Sequence, residues 1–394
     1  MNKQLTLNFD FPNLSVSLPP DLLSFDLSEL SRKYTVELSD AAPLIDAANS
    51  FLRELSKGGS FSWSIDLKAL GFDCQPAAPP ISQLVIFGDS LSDRGNLFGV
   101  TSQQFPPSPP YFEGRFANGL IWADYLAPQL GIDSDRISSF AVGGAKTGRE
   151  NIATTLFGLP ESLNLPGVLD QIDTFAATTG AYGADPHALY VVWAGSNDLL
   201  NLPPDPQGAI AGIRQAVSNI STAITKLADL GAERVLVPNS IDLGLAPFPR
   251  RNGVAAQATQ ASIGFNQALN QALTALEPAL GIDIIEVDLF SITQRIAASP
   301  GEFGFTNITD PLIEQPNSSN PDGYFWWDQI HPTTQVHQLA ADAFEAAIAQ
   351  SAPVSNGRTQ ASPTERLIGN GVGLHHPLVT SPAVNRFAES PLFV

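Results

Sequence analysis

Short apolar runs alternate with longer segments of three- and four-residue apolar spacing between residues 82 and 350. That alternation predicts strands exchanging with helices. Strands are expected over residues 84–87, around 138–142, and over 188–194, 234–239 and 282–289. Helices are expected over 209–230, 255–276 and 334–350; in the last, Val336, Leu339, Ala340, Ala343, Phe344, Ala347 and Ile348 recur on one face. This order implies an α/β fold with a parallel sheet covered by helices.

The flanking regions have a different texture. Alternation over 5–11 and 14–18 resembles two short strands, the spacing of apolar residues over 24–55 is closer to helical, and Gln75-Pro-Ala-Ala-Pro-Pro80 has the composition of a linker. The expected organisation is an amino-terminal segment of residues 1–80 with no assigned chemistry, a main domain of 81–350 and a loosely ordered tail of 351–394. Two long connections, 99–115 with its four prolines and 299–325, have the length of functional loops.

The first strand delivers the chemistry. Leu84-Val-Ile-Phe87 ends at Gly88, and the chain then turns through Asp89 and Ser90. In an open parallel sheet, ligands sit outside the carboxyl ends of the strands. Ser90 thus stands where a nucleophile would stand, and a serine needs a base that is itself oriented by a third group. Of five histidines, His331 alone follows an acid by three residues at a helix entrance, in Asp328-Gln-Ile-His331-Pro332. Proline belongs in the first turn of a helix and extends the residue before it, so His331 is expected at the mouth of the last helix. Asp328 and His331 alone also suit a helix-entry hydrogen bond or a metal pair. His187 is read as a loop residue and His337 as a helix-surface residue, while His375 and His376 lie in the tail.

Acyl transfer further requires donors aimed at the developing oxyanion. Gly143-Gly144 follows the second strand, where missing side chains open the backbone N–H groups, and Asn197 follows the third with a side-chain amide. Gly-Gly and Asn-Asp also simply make turns. Their joint placement on one sheet edge with Ser90 is the informative feature.

Four separated blocks now carry a resemblance. Gly88-Asp-Ser-Leu91, Phe140-Ala-Val-Gly-Gly-Ala145, Gly195-Ser-Asn-Asp198 and Asp328-Gln-Ile-His331 occur in the order of the signature blocks of GDSL, or SGNH, hydrolases. Gly114-Arg-Phe-Ala-Asn-Gly119 with Trp122-Ala-Asp-Tyr-Leu126 resembles the subgroup of plant-type esterases and phospholipase-, lecithinase- or hemolysin-like proteins. The likeness covers about residues 82–349. It implies a three-layer α/β/α sandwich around a five-stranded parallel, flavodoxin-like sheet. It also implies a serine esterase or lipase with Ser90 as nucleophile, His331 as base and Asp328 orienting it. The oxyanion hole it implies comprises the Ser90 N–H, the Gly144 N–H and the Asn197 side chain. Ser139 departs from the family pattern, where asparagine is expected. A carbohydrate acetylesterase is the alternative within the family. The Gly-x-Ser-x-Gly elbow of α/β-hydrolases is absent.

Charge narrows the partners. With 20 basic and 39 acidic residues the net charge is −19, which repels nucleic-acid backbones. The expected partner is a small-molecule or lipid ester, the motifs call for no cofactor and no metal, and the oligomeric state is open. No stretch approaches the length of a membrane span, and residues 1–12 lack the apolar block of a secretory signal, so a cytoplasmic location is the default expectation unless another export route operates. A single cysteine, Cys74, excludes an internal disulfide.

Two other classes compete. A flavodoxin-like nucleotide- or phosphate-binding module would use the turn after the first strand, but Asp89 and Asp93 oppose an anion there and no phosphate-binding glycine motif follows. A metal hydrolase would use Asp89, Asp328 and His331.

Overall fold

The computed structural model describes residues 81–315 and 323–351 in full, with the backbone of four short strands before them. The chain divides into two compact units, Met1–Pro79 and Pro80–Val394. In the first are β1 (Gln4–Phe9), β2 (Tyr34–Thr35), β3 (Phe61–Asp66) and β4 (Gln75–Pro76); β1 pairs antiparallel with β3, and β2 with β4. The strand expected over 5–11 overlaps β1, and the stretch read as a linker begins inside β4. The second expected strand, Cys74 and the tail beyond 351 lie outside the described residues; of the segment 24–55, read as helical in spacing, only β2 is described, and there the chain is a strand paired with β4.

The second unit holds β5 (Leu84–Gly88), β6 (Ile137–Ser139), β7 (Leu189–Trp193), β8 (Arg234–Pro238) and β9 (Asp283–Val287). All are parallel, in the order β6-β5-β7-β8-β9. The strand order reverses between β5 and β7, and the crevice at such a switch point is where open α/β sheets bind ligands. Every residue of β5, β7 and β8 is buried, as expected of strands covered on both faces.

Ten α-helices are found among the described residues of the unit. They are α1 (Asn96–Val100), α2 (Trp122–Gln129), α3 (Ala153–Phe157), α4 (Val168–Thr179), α5 (Ser196–Leu200), α6 (Pro206–Leu230), α7 (Pro247–Arg251), α8 (Ala255–Leu280), α9 (Leu289–Ala298) and α10 (Thr334–Gln350). On one face α6 packs between α4 and α8; on the other, α2 packs against α10. The result is a three-layer α/β/α sandwich. Local signals explain the longest elements. In α6, Asp205 caps the Gly208 N–H at 2.8 Å, Pro206 opens the helix and Gly231, at φ 110, closes it.

Two strand ends differ from expectation. The second strand stops at Ser139 rather than Val142, because the Asn96 amide donates to the Ser139 and Ala141 carbonyls at 2.9 and 2.8 Å and pulls the chain out of the ladder. Only the Phe140 and Val142 N–H groups still reach β5, at Ile86 and Gly88. The gap opposite Gly88 is filled by Gln171 of α4, which accepts from the Gly88 N–H and donates to its carbonyl, both at 2.9 Å. At the other edge, Asp288 caps α9 through the Ser291 N–H, so the fifth strand ends at Val287 rather than Leu289.

His337 corrects a further expectation. It is not on the helix surface but 1% exposed, facing an apolar cavity lined by Leu91, Trp193, Ile296 and Phe325. Both ring nitrogens are without a hydrogen-bond partner among the described residues. Burial lowers its pKa to about 3, with the nearby His331 charge acting in the same direction. The folded protein therefore holds His337 neutral while the unfolded chain takes up a proton below pH ~6.5, so stability is lost as pH falls from there toward 3. His337→Leu should remove that loss: relative to wild type, the variant gains roughly 2 kcal/mol between pH 8 and pH 5. Urea unfolding at both pH values measures the difference, and parallel changes in the two proteins would refute a buried neutral imidazole.

Candidate active site

Each block reaches the sheet edge for a local reason. β5 ends in Gly88, whose missing Cβ leaves room for the Trp193 carbonyl, 2.3 Å from where that atom would stand. The Asp89 carboxylate then accepts the Leu91 N–H at 3.0 Å and closes the turn that carries Ser90. Asp93 ties this turn to its neighbour. Fully buried, it accepts from the N–H groups of Gly95, Asn96 and Leu97 at 2.8, 2.6 and 3.1 Å, and from Gly143 at 2.8 Å.

The Gly143-Gly144 turn is held equally tightly. A Cβ at Gly143 would meet the Phe116 ring at 2.5 Å, and Gly144 has φ +80°, so neither position accepts a side chain without strain. The Ser139 hydroxyl donates to the Ser92 carbonyl at 3.3 Å, while Asn96 anchors the backbone on either side of Phe140. Asn197 is buried at the start of α5 and donates one amide hydrogen to the Ala145 carbonyl at 3.0 Å, leaving the other uncommitted. Asp198 accepts from both the N–H and the hydroxyl of Thr147 at 2.9 Å. The turns after β5, β6 and β7 are thus stitched into one surface. Among the described residues, neither the Ser90 N–H nor the Gly144 N–H has a hydrogen-bond partner.

The fourth block enters from the opposite side. Asp328 Oδ1 accepts the N–H groups of Ile330 and His331 at 2.9 and 2.7 Å, which curls the chain so that the two side chains meet. Pro332 does not lie in the first helical turn; it bridges to Trp326, and α10 starts at Thr334 behind the cap residue Thr333. The subgroup block explains how that helix is aimed. Asn118 accepts the Thr334 N–H at 2.8 Å, Tyr125 contacts the Thr334 hydroxyl at 2.8 Å, and Asp124 is gripped by Arg94 and Arg115, each at 2.8 Å.

His331 Nε2 lies 2.8 Å from Ser90 Oγ, and His331 Nδ1 lies 2.7 Å from Asp328 Oδ2. All three residues are buried. An ionised carboxylate only accepts, so Nδ1 carries the proton and Nε2 presents its lone pair to the serine hydroxyl. Phe116 packs against the imidazole with ring centroids 4.9 Å apart. The candidates Ser90, His331 and Asp328 therefore meet, and Gly144 and Asn197 are hydrogen-bonded into the same loop system.

Burial shapes the remaining charges. Desolvation raises Asp89 to about 7 and Asp93 to about 6; backbone N–H groups oppose the shift in both, and the His331 charge does so for Asp89. Among the described residues Asp89 Oδ2 is buried without a partner, and near neutral pH its carboxyl sits close to its midpoint. The turn beside Ser90 thus carries less negative charge than its sequence indicates. The metal alternative fits poorly. Among the described residues no group of three or more His, Cys, Asp or Glu side chains could hold a metal ion, and both Asp328 oxygens are already occupied by N–H and O–H donors.

Sequence reasoning missed Asp93, Gln171 and the link from Tyr111 to Asp328. Only Asp93 carried a signal, as a second acid on the nucleophile turn. The aromatic residues Tyr111, Phe116, Trp122, Phe305, Phe325, Trp326 and Trp327 are buried as packing, whereas the apolar residues Phe105, Phe157, Leu159, Leu165, Ile313 and Tyr324 are only partly buried around the cluster that holds Tyr111, Phe116 and Val142.

The chain is similar to several known proteins. The thermolabile hemolysin of Vibrio parahaemolyticus is 26% identical over 283 residues, spanning 66% of this chain and 62% of the hemolysin. The phosphatidylcholine-sterol acyltransferase of Aeromonas hydrophila is 26% identical over 323 residues, spanning 71% of this chain and 93% of that protein. Among solved structures, an acetylxylan esterase from Geobacillus stearothermophilus aligns with a TM-score of 0.39 at 14% identity, covering 68% of this chain and 96% of that one. Residues 84–344, well over half of the chain, match the family described as GDSL-like Lipase/Acylhydrolase, and the chain belongs to that family.

Proposed function

We propose that this protein is a serine esterase that hydrolyses carboxylic esters through an acyl-enzyme on Ser90, with residues 81–350 as the catalytic domain. The observation that carries the reading is the unbroken line from Ser90 Oγ through both ring nitrogens of His331 to Asp328, at 2.8 and 2.7 Å. Ser90 Oγ attacks the ester carbonyl carbon while His331 Nε2 takes the hydroxyl proton. Asp328 stays ionised and stabilises the imidazolium. The carbonyl electrons move onto oxygen, which accepts from the Ser90 N–H, the Gly144 N–H and the free Asn197 amide hydrogen. Collapse of this intermediate breaks the bond to the alcohol oxygen, and His331 returns its proton there. Water then repeats the sequence on the acyl-enzyme, releasing the acid and restoring Ser90.

The partly buried apolar residues Phe157, Leu159 and Leu165, packed against the cluster that holds Tyr111 and Phe116, favour an ester with an apolar acyl group, whether a small molecule or a lipid. A panel of p-nitrophenyl esters, lysophospholipid and acetylated xylan separates that substrate class from acetylated carbohydrate.

Ser90→Ala should lower turnover of a p-nitrophenyl ester by at least about a thousandfold. A fluorophosphonate should label Ser90 in the wild type, mapped by mass spectrometry; activity of Ser90→Ala within a few-fold of wild type would end the serine mechanism. Asn197→Ala should leave labelling intact and reduce kcat by roughly a hundredfold, the effect of one lost oxyanion donor, with KM little changed. An unchanged kcat would remove Asn197 from the hole.

A further inference from the structure

Tyr111 stands on the proline-rich connection between α1 and α2, outside all four signature blocks. It is 2% exposed. Its N–H donates to the Pro107 carbonyl at 3.1 Å, and its ring meets Phe116 and Trp327 edge-on, with centroids 6.2 and 5.7 Å away. These contacts hold the side chain in place. There the phenol donates to Asp328 Oδ2 at 2.8 Å, the same oxygen that accepts the His331 Nδ1 proton at 2.7 Å.

We propose that Tyr111 is a positioning residue for the hydrolytic reaction, a fourth member of the line that acts on His331 through Asp328. The inference rests on the Ser90, His331 and Asp328 reading above. Asp328 has four donors: two backbone N–H groups on Oδ1, and the imidazole and the phenol on Oδ2. That saturation leaves no lone pair of a buried carboxylate unsatisfied and fixes its plane toward the ring. The phenol also draws charge from the oxygen that faces the imidazole, which restrains how strongly that oxygen stabilises the imidazolium. Burial, then the neighbouring Asp328 charge, push the pKa of the Tyr111 phenol far above its ordinary range, so it remains a donor throughout the working pH. The other titratable groups that feel the His331 charge are Asp89 on the nucleophile turn and His337 on α10. Neither touches the phenol. Because Tyr111 belongs to the connection over 99–115, the geometry of that loop is transmitted to the base.

Tyr111→Phe keeps the ring and removes only the donor. Measured on the full chain with a p-nitrophenyl ester across pH, kcat should fall several-fold with KM within about twofold. The acid limb of the profile should move to higher pH by roughly half a unit, since a carboxylate that has lost a donor holds the imidazolium more firmly. Site-specific 3,5-difluorotyrosine in place of Tyr111 donates more strongly, so the limb should move the opposite way. A purely structural role lowers thermal stability and leaves both limbs in place; unmoved limbs in the two proteins overturn the proposal. Ser90→Ala run alongside separates the two readings. Its retained activity would sink the serine mechanism itself, whereas an inactive Ser90→Ala with unmoved limbs sinks only the role of Tyr111.

Discussion

A buried carboxylate is tolerable when its lone pairs are taken or when it takes up a proton, and the first of these requirements organises the active edge of the sheet. Asp93 draws four N–H groups together, three from the entrance of α1 and one from Gly143 after β6. Asp198 draws the N–H and hydroxyl of Thr147 to the start of α5. Asp328 draws two N–H groups, an imidazole and a phenol. Each acid therefore fixes a turn that strand pairing alone would leave free. Because every bond crosses between blocks or closes the block that carries a reacting group, losing one acid would loosen the geometry of several loops at once.

The sandwich was legible because its strands are short, apolar and buried on both faces, a pattern that needs no knowledge of partners. The strand ends were not. The second strand is cut short by the Asn96 side chain, and the vacancy beside Gly88 is filled by Gln171 from a helix 83 residues away. Nothing local to residues 138–142 announces either event. His337 misled for a related reason: its place in the helical repeat marks a face, but which faces are covered depends on how α10 packs against α2 and the sheet. The placement of the candidate residues was legible, since Ser90, Gly144, Asn197 and Asp328 with His331 all follow strand ends or precede a helix. What supports them was not, because Tyr111 contacts Asp328 across 217 positions and an aromatic residue in a proline-rich loop has no periodicity to read.

The subgroup block shows how a motif can serve the site without touching it. Asp124 holds two arginines, Asn118 meets the first N–H of α10, and Tyr125 meets Thr334. These contacts set the position of a helix whose preceding residues include His331. An arginine and an aspartate buried together seldom add net stability, but removing either leaves an unpaired buried charge. Such a pair is suited to fixing orientation, which is what an imidazole poised 2.8 Å from a hydroxyl demands.

Electrostatics at the site runs against the character of the whole chain. A net charge of −19 would oppose an oxyanion if it were felt there, yet the acids closest to Ser90 are disarmed in different ways. Asp93 and Asp328 spread their charge over four donors each. Asp89, with one oxygen lacking a partner, is pushed up to about 7 and so is partly neutral at the pH where a histidine base works. In the proposed reaction, what faces the carbonyl oxygen is a set of N–H dipoles in a buried setting, where the low dielectric strengthens their field. The same burial that makes isolated charges costly thus makes fixed dipoles effective. The sheet edge obtains its polarity from backbone geometry rather than from cations, of which the chain has few.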